Sequence, residues 1–208
     1  MEKGHVIIIS GFSGVGKGTV VKKMLETHPN YKLSISATTR KPREGEVDGV
    51  HYHFIDNEKM EQMIQDNMFL EYAGYVDNYY GTPKQFVLDN INEGNNVILE
   101  IESVGARIIK EQIPEALMVF VLPPSARELK NRLVGRNTEE ESVINKRLKK
   151  AKEETDAMSY YEYFVINDTV ENCADNINRI VTNTNPELPS QDQVLEIKND
   201  ILNFEEEK

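Results

Sequence analysis

His5-Val6-Ile7-Ile8-Ile9-Ser10 followed by Gly11-Phe12-Ser13-Gly14-Val15-Gly16-Lys17-Gly18-Thr19 is the stretch that decides the architecture. A short β-branched run reads as a strand buried on both faces, as in a parallel sheet. The next seven residues match GxxxxGK, and a helical pattern from Gly18 to about Thr27 follows. A strand, a glycine loop and a helix in that order make a phosphate-binding loop. Glycines let backbone N–H groups curl around phosphate oxygens, and the helix N-terminus adds partial positive charge. Residues Gly11 to Thr19 are therefore the expected contacts of a nucleoside triphosphate, with Lys17 reaching its β- and γ-phosphates. One position departs from the usual loop: Gly18 follows Lys17, and the hydroxyl comes one residue later at Thr19. The side chain that commonly holds Mg²⁺ is missing, so the metal is expected on nucleotide phosphates and water.

Outward from the loop, apolar runs at 96–101, 117–122 and 163–166 alternate with helical patterns. This spacing predicts an α/β fold with a doubly wound parallel sheet. Two stretches break the rhythm. From Ser34 to about Tyr80 the sequence is rich in Tyr, Thr and alternating patterns, which suggests a small antiparallel insertion. From Arg132 to Lys150 it is dense in Arg, Lys and Glu between helical segments, as a mobile lid would be. Pro186 and Pro189 mark a linker to a last amphipathic helix, with Val194, Ile197, Ile201 and Phe204 on one face. That helix reads either as docked on the core or as a partner-binding element.

The 208 residues, 39% of them hydrophobic, suffice for one compact core with appended lobes. The net charge of −11 argues against nucleic acid or an anionic membrane as partner. Residues 187–208 carry −5 of it, leaving −6 elsewhere. An acidic chain that binds anions must gather its arginines locally. Cys173 is the single cysteine, so no internal disulfide is possible, and the N-terminus has neither a signal-peptide core nor a cleavage site. No apolar run approaches the roughly 18 residues of a membrane span. A soluble cytoplasmic protein is the expectation.

Ser34-Ile35-Ser36-Ala37-Thr38-Thr39-Arg40-Lys41-Pro42-Arg43-Glu44-Gly45-Glu46 is the most informative segment after the loop. Pro42 stiffens the turn between Arg40 and Arg43, and paired guanidiniums can take a phosphate through several charge-assisted bonds. By itself the segment reads equally well as a solvated basic loop. His51 and His53, two apart on a strand-like stretch, read as solvated strand-face histidines before a metal pair.

This segment resembles the S-x-S-x-T-T-R-x-P-R-x-G-E signature of guanylate kinases. Further matches follow in family order: Phe69-Leu70-Glu71-Tyr72, Asn78-Tyr79-Tyr80-Gly81-Thr82, Leu99-Glu100-Ile101-Glu102, Pro123-Pro124-Ser125, Arg132, Arg136 and Ile166-Asn167-Asp168. The resemblance spans roughly residues 5 to 182. It implies a P-loop nucleoside monophosphate kinase that moves the γ-phosphoryl of ATP to GMP, and to dGMP, in purine metabolism. The core would be 1–33, 84–131 and 151–183, with an α+β GMP-binding lobe at 34–83, a helical lid at 132–150 and an acidic extension at 184–208. Arg40, Arg43, Tyr52 and Tyr80 would hold the GMP phosphate. Glu71 and Glu102 would accept from guanine N1–H and the 2-amino group, and Ser36 and Thr82 would donate to the other edge. Arg132, Arg136 and Arg147 would join Lys17 in neutralising the transferring group. Asn167 would lie near the adenine, and Glu100 is a possible metal contact through water. A monomer or a homodimer is expected.

The chain departs from the common family pattern at Phe12, Glu102, Val104 and Asn137. Two other readings remain open. One is a phosphopeptide-binding module of the same fold, which usually has a degraded loop. The other is a kinase for a different acceptor, which would not need Glu71, Glu102 and the tyrosines.

Overall fold

The computed structural model describes residues 3–75, 77–134 and 141–204. In chain order the elements are β1 (Val6–Gly11), α1 (Lys17–Thr27), β2 (Tyr31–Leu33), β3 (Ala37–Thr38), β4 (His53–Phe54), α2 (Asn57–Gln65), β5 (Phe69–Tyr75), β6 (Asn78–Pro83), α3 (Lys84–Asn92), β7 (Asn96–Leu99), α4 (Ser103–Gln112), β8 (Leu117–Leu122), α5 (Ala126–Val134), α6 (Glu141–Glu154), β9 (Tyr163–Ile166), α7 (Val170–Thr182) and α8 (Gln191–Asn203). A 3-10 helix, Thr155–Tyr160, follows α6.

The larger sheet has the order β2-β7-β1-β8-β9, with β1 and β2 each parallel to β7, and β8 parallel to β9. Helices alternate with its strands along the chain, as the apolar runs predicted. Val6 to Ile9 are all buried, as are Asn96 to Leu99 and Met118 to Leu122. Strands shielded on both faces have no polar side to alternate with, which is why they read as continuous apolar runs.

The chain divides into two compact units, one of residues 1–8 and 28–116, the other of 9–27 and 117–208. In the first, a four-stranded sheet of order β4-β3-β6-β5 forms the expected insertion. Its β3–β6 and β5–β6 pairings are antiparallel, whereas β3–β4 is parallel. The sheet is mixed rather than wholly antiparallel, because the long excursion between Thr38 and His53 returns the chain in the same direction. Ala37, Met60 and Phe69 form a small core with Ile55, Met63 and Ile64 packed against it.

In the second unit, Phe120 stacks edge-on against Phe12 and Tyr161, at 5.1 and 5.0 Å between ring centroids. Phe12 is fully buried, so its departure from the family pattern fills the core behind the loop. Cys173 is buried too, and burial pushes its thiol up to about 12, leaving it unreactive.

The C-terminal helix α8 is docked. Ser190 and Gln193 make a reciprocal capping box at its start, and Ile197 and Ile201 are buried. Asp200 Oδ2 accepts the first N–H of α5, from Ala126, at 2.6 Å, and Lys152 Nζ donates to the Phe204 carbonyl at 2.9 Å. Loss of that cap and of two buried isoleucines outweighs the ordering entropy of one helix. Truncation after Asn185 is expected to cost about 1–3 kcal/mol. In a chain of this size that is roughly 2–4 °C of Tm per kcal/mol, readable by calorimetry. The activity expected from the resemblance should persist in the truncated protein. Its loss while the protein stays folded would make the tail part of the site.

Candidate functional site

The glycine loop lies wholly in the second unit. Gly14 and Gly16 have φ of 88° and 99°, a conformation side chains rarely adopt, and a Cβ on Gly16 would meet Asn167 Nδ2 at 2.8 Å. Lys17 opens α1 and arches back over the loop, its Nζ 2.8 Å from the Gly11 carbonyl and 3.3 Å from that of Phe12. The ammonium is thereby held at the loop before any phosphate arrives.

Two side chains converge on the Val15 carbonyl. Asn167, almost fully buried, donates from Nδ2 at 2.8 Å, and Arg132 donates from Nη1 at 3.1 Å. Arg132 also reaches the Asn167 carbonyl at 2.9 Å and Glu128 Oε1 at 2.9 Å. Asn167, expected beside the adenine, thus spends its amide on bracing the loop. Glu154 of α6 takes the Ser13 N–H at 3.1 Å, so one loop donor already carries a carboxylate. A cleft of about 320 Å³ opens here, lined by Gly14, Gly16, Thr19, Arg132, Asn167, Asp168 and Val170. Gly18 is exposed on α1, and Arg147 is half-buried on α6. Arg136 and Asn137 lie outside the described residues.

The first unit carries the arginine turn. Arg40 is bound in fork geometry by Glu46, Nη1 to Oε2 at 2.9 Å and Nη2 to Oε1 at 2.8 Å. Glu46 also accepts the Arg43 backbone N–H at 2.7 Å, while the Arg43 side chain stays exposed. Arg40 first, then that N–H, holds the Glu46 carboxyl down to about 2, and Glu46 in turn raises Arg40 above its usual range. The guanidinium lies over the Tyr52 and Phe54 rings at 5.3 and 5.7 Å and bonds the Tyr80 oxygen. Tyr52 and Tyr80 meet edge-on at 5.9 Å. Burial, then Tyr80, raises the Tyr52 hydroxyl. Three expected residues, Arg40, Tyr52 and Tyr80, therefore share one cluster with a Glu46 that sequence reasoning left without a role.

Glu71 sits on β5 directly opposite Thr82 of the antiparallel β6. Both are buried, at 7% and 1% exposure, and Thr82 Oγ1 donates to Glu71 Oε1 at 2.6 Å. Thr82 is thus turned to the carboxylate expected to read the base. Burial raises the Glu71 carboxyl above the usual glutamate range, against two hydrogen bonds from Thr82 that lower it. Glu71 touches α4 at Gly105. Glu102 stands at the N-cap of that helix, exposed, with its side chain making no cap bond. Ser36 gives its carbonyl to the His53 N–H at 2.9 Å. His51 accepts the Val47 N–H on Nδ1 at 3.0 Å, closing its own turn. Glu100 is exposed just past the end of β7. Among the described residues no group of three or more His, Cys, Asp or Glu is placed to hold a metal ion, and no helix is long and apolar enough to cross a membrane.

Comparison with known proteins identifies the family. Residues 3–184 match the family model described as guanylate kinase. A guanylate kinase of Clostridioides difficile is 51% identical over 182 residues, 88% of this chain and 89% of that protein. One from Halalkalibacterium halodurans is 52% identical over 181 residues, 87% of this chain and 89% of that protein. The crystal structure of guanylate kinase from Anaplasma phagocytophilum superposes with a TM-score of 0.71 at 31% identity, covering 88% of this chain and 86% of that one.

Proposed function

The chain belongs to the guanylate kinase family and is an ATP:GMP phosphotransferase, and we propose that the residues gathered above divide that transfer between them. The observation that carries the division is the buried Glu71, aimed by Thr82, in the same unit as the Arg40 cluster. Phosphoryl transfer needs positioning and dispersed positive charge rather than a covalent nucleophile. The loop from Gly11 to Thr19 cradles the ATP phosphates, with Lys17 at the β- and γ-phosphates. Arg132, Arg136 and Arg147 neutralise the transferring group. Arg40, Arg43, Tyr52 and Tyr80 hold the acceptor phosphate, and Glu46 keeps Arg40 extended across the two rings.

Glu71 and Glu102 accept the guanine N1–H and 2-amino group, while Ser36 serves the other edge. None of the contacts proposed here is to the sugar 2′ position, so dGMP is expected as an acceptor as well. Residues 34–83 act as the acceptor lobe and 132–150 as the lid that excludes water. Mg²⁺ supplies further charge neutralisation on the phosphate oxygens when bound. Thr19, which lines the cleft, is a hard oxygen donor and fits an ion held mainly by the nucleotide phosphates and water.

ADP release measured with GMP, dGMP, AMP, CMP and UMP as acceptors tests the reading. GMP and dGMP should be used, with kcat/KM for AMP lower by about 10⁴-fold or more. AMP turned over as readily as GMP would overturn the assignment of Glu71 and Glu102.

A further inference from the structure

We propose that Gly105 positions the Glu71 carboxylate and through it sets guanine selection, an inference that rests on Glu71 being the base acceptor. Gly105 is the third residue of α4 and is buried. Its φ is not in the left-handed region, so the backbone there does not require glycine. A glycine inside a helix is less stable than alanine at the same place. Something other than helix geometry must favour the missing methyl. A Cβ at Gly105 would lie 2.7 Å from Glu71 Oε2, 3.0 Å from Cδ and 3.5 Å from Cγ, and these three nearest atoms all belong to Glu71. The carboxylate occupies the space a methyl would fill.

The two sides of that contact are unequal. The first turn of α4 is fixed by the Ala106 N–H to Glu102 carbonyl bond at 3.0 Å and by the burial of Ala106 and Ile109. Glu71 is a side chain with several rotatable bonds, and among the described residues its carboxylate is held by Thr82. An added methyl therefore displaces the carboxylate rather than the helix, by roughly 0.5–1 Å to regain van der Waals distance. Errors of that size in a positioning group are enough to cost about tenfold to a hundredfold in rate. Gly105 touches no substrate in this reading; it acts through Glu71.

The test is a cycle of Gly105→Ala, Glu71→Ala and the double variant, with kcat, both KM values and Tm measured on the full chain. Gly105→Ala should raise the KM for GMP by about tenfold or more. The KM for ATP should stay within about twofold and Tm should hold or rise, since alanine favours the helix. In the Glu71→Ala background there is no carboxylate to displace, so adding Gly105→Ala should change kcat/KM for GMP by less than about twofold. Normal GMP kinetics in Glu71→Ala would remove Glu71 from base reading and this inference with it. An impaired Glu71→Ala beside a normal, folded Gly105→Ala would overturn the role of Gly105 alone, as would additive losses in the double variant. Should Gly105→Ala fail to fold, the double variant must fold, because only Glu71 atoms crowd the new methyl. A double variant that is also unfolded overturns the inference.

Discussion

Lys17→Ala lowers kcat by about two orders of magnitude or more, the cost of removing one preorganised charge from the transferring phosphates. The size follows from how the side chain is held. Its Nζ is already 2.8 Å from the Gly11 carbonyl, so little reorganisation is spent bringing the charge to the loop. Alanine leaves the loop backbone intact, because the braces on Val15 come from Asn167 and Arg132 and do not involve Lys17. ATP should still bind, more weakly. GMP binding without ATP, followed by calorimetry, should change little, because every proposed acceptor contact lies in the other unit. Single-turnover kinetics separates the chemical step from product release. Near-normal turnover in Lys17→Ala would sink the electrostatic mechanism.

The strands of the larger sheet were legible where burial on both faces leaves an unbroken apolar run, as at Val6–Ile9 and Leu117–Leu122. β2 was not, since Tyr31-Lys32-Leu33 is short and of mixed polarity, and it exists through pairing with β7, 65 residues away by the Tyr31–Asn96 register. The insertion was legible as alternating sequence, but the parallel β3–β4 pair was not. Strand direction depends on how the Arg40–Glu46 turn returns the chain, and alternation carries no sign of direction.

Site residues followed the same division. A glycine loop announces itself locally, because its backbone needs are local. The partners that hold it come from far along the chain: Asn167 and Arg132 on Val15, and Glu154 on Ser13 across 141 positions. The Thr82–Glu71 bond depends on the β5–β6 register, which the sequence signals only as two tyrosine-rich strands. Glu46 was inside the quoted arginine segment, and its spacing of three from Arg43 was the available clue to a closed turn. Gly105 offered a fainter one, a glycine inside a helical pattern with no turn to explain it.

Glu71→Gln is expected to lower kcat/KM for GMP by at least about 10²-fold, the penalty for setting a donor against a donor in a buried site. Thr82 decides which way the amide turns. Its hydroxyl donates to Oε1, so the glutamine carbonyl takes that place and the NH₂ group takes that of Oε2. Glu102 is exposed, so Glu102→Gln should cost less. A silent Glu102→Gln beside a severe Glu71→Gln would leave one carboxylate reading the base, and a silent Glu71→Gln would remove base reading from this site. The pH dependence separates the charge from the shape. Because burial raises the Glu71 carboxyl, it takes up a proton at higher pH than an exposed glutamate does, and the protonated form no longer offers an anion to N1–H. GMP use should therefore fall on acidification above the ordinary glutamate range. The acceptor phosphate also gains a proton, near about pH 6. Glu71→Gln should keep that phosphate limb and lose the other. Stability supplies a second readout of opposite sign. Between the glutamate value of 4.5 and the raised folded value, the native state holds a proton that the unfolded chain has released. Stability then falls as pH rises through that window. Thermal unfolding of Glu71→Gln should lack this slope and place its Tm above that of the unmodified protein at neutral pH; a variant that keeps the slope would mean that Glu71 is not the group that titrates.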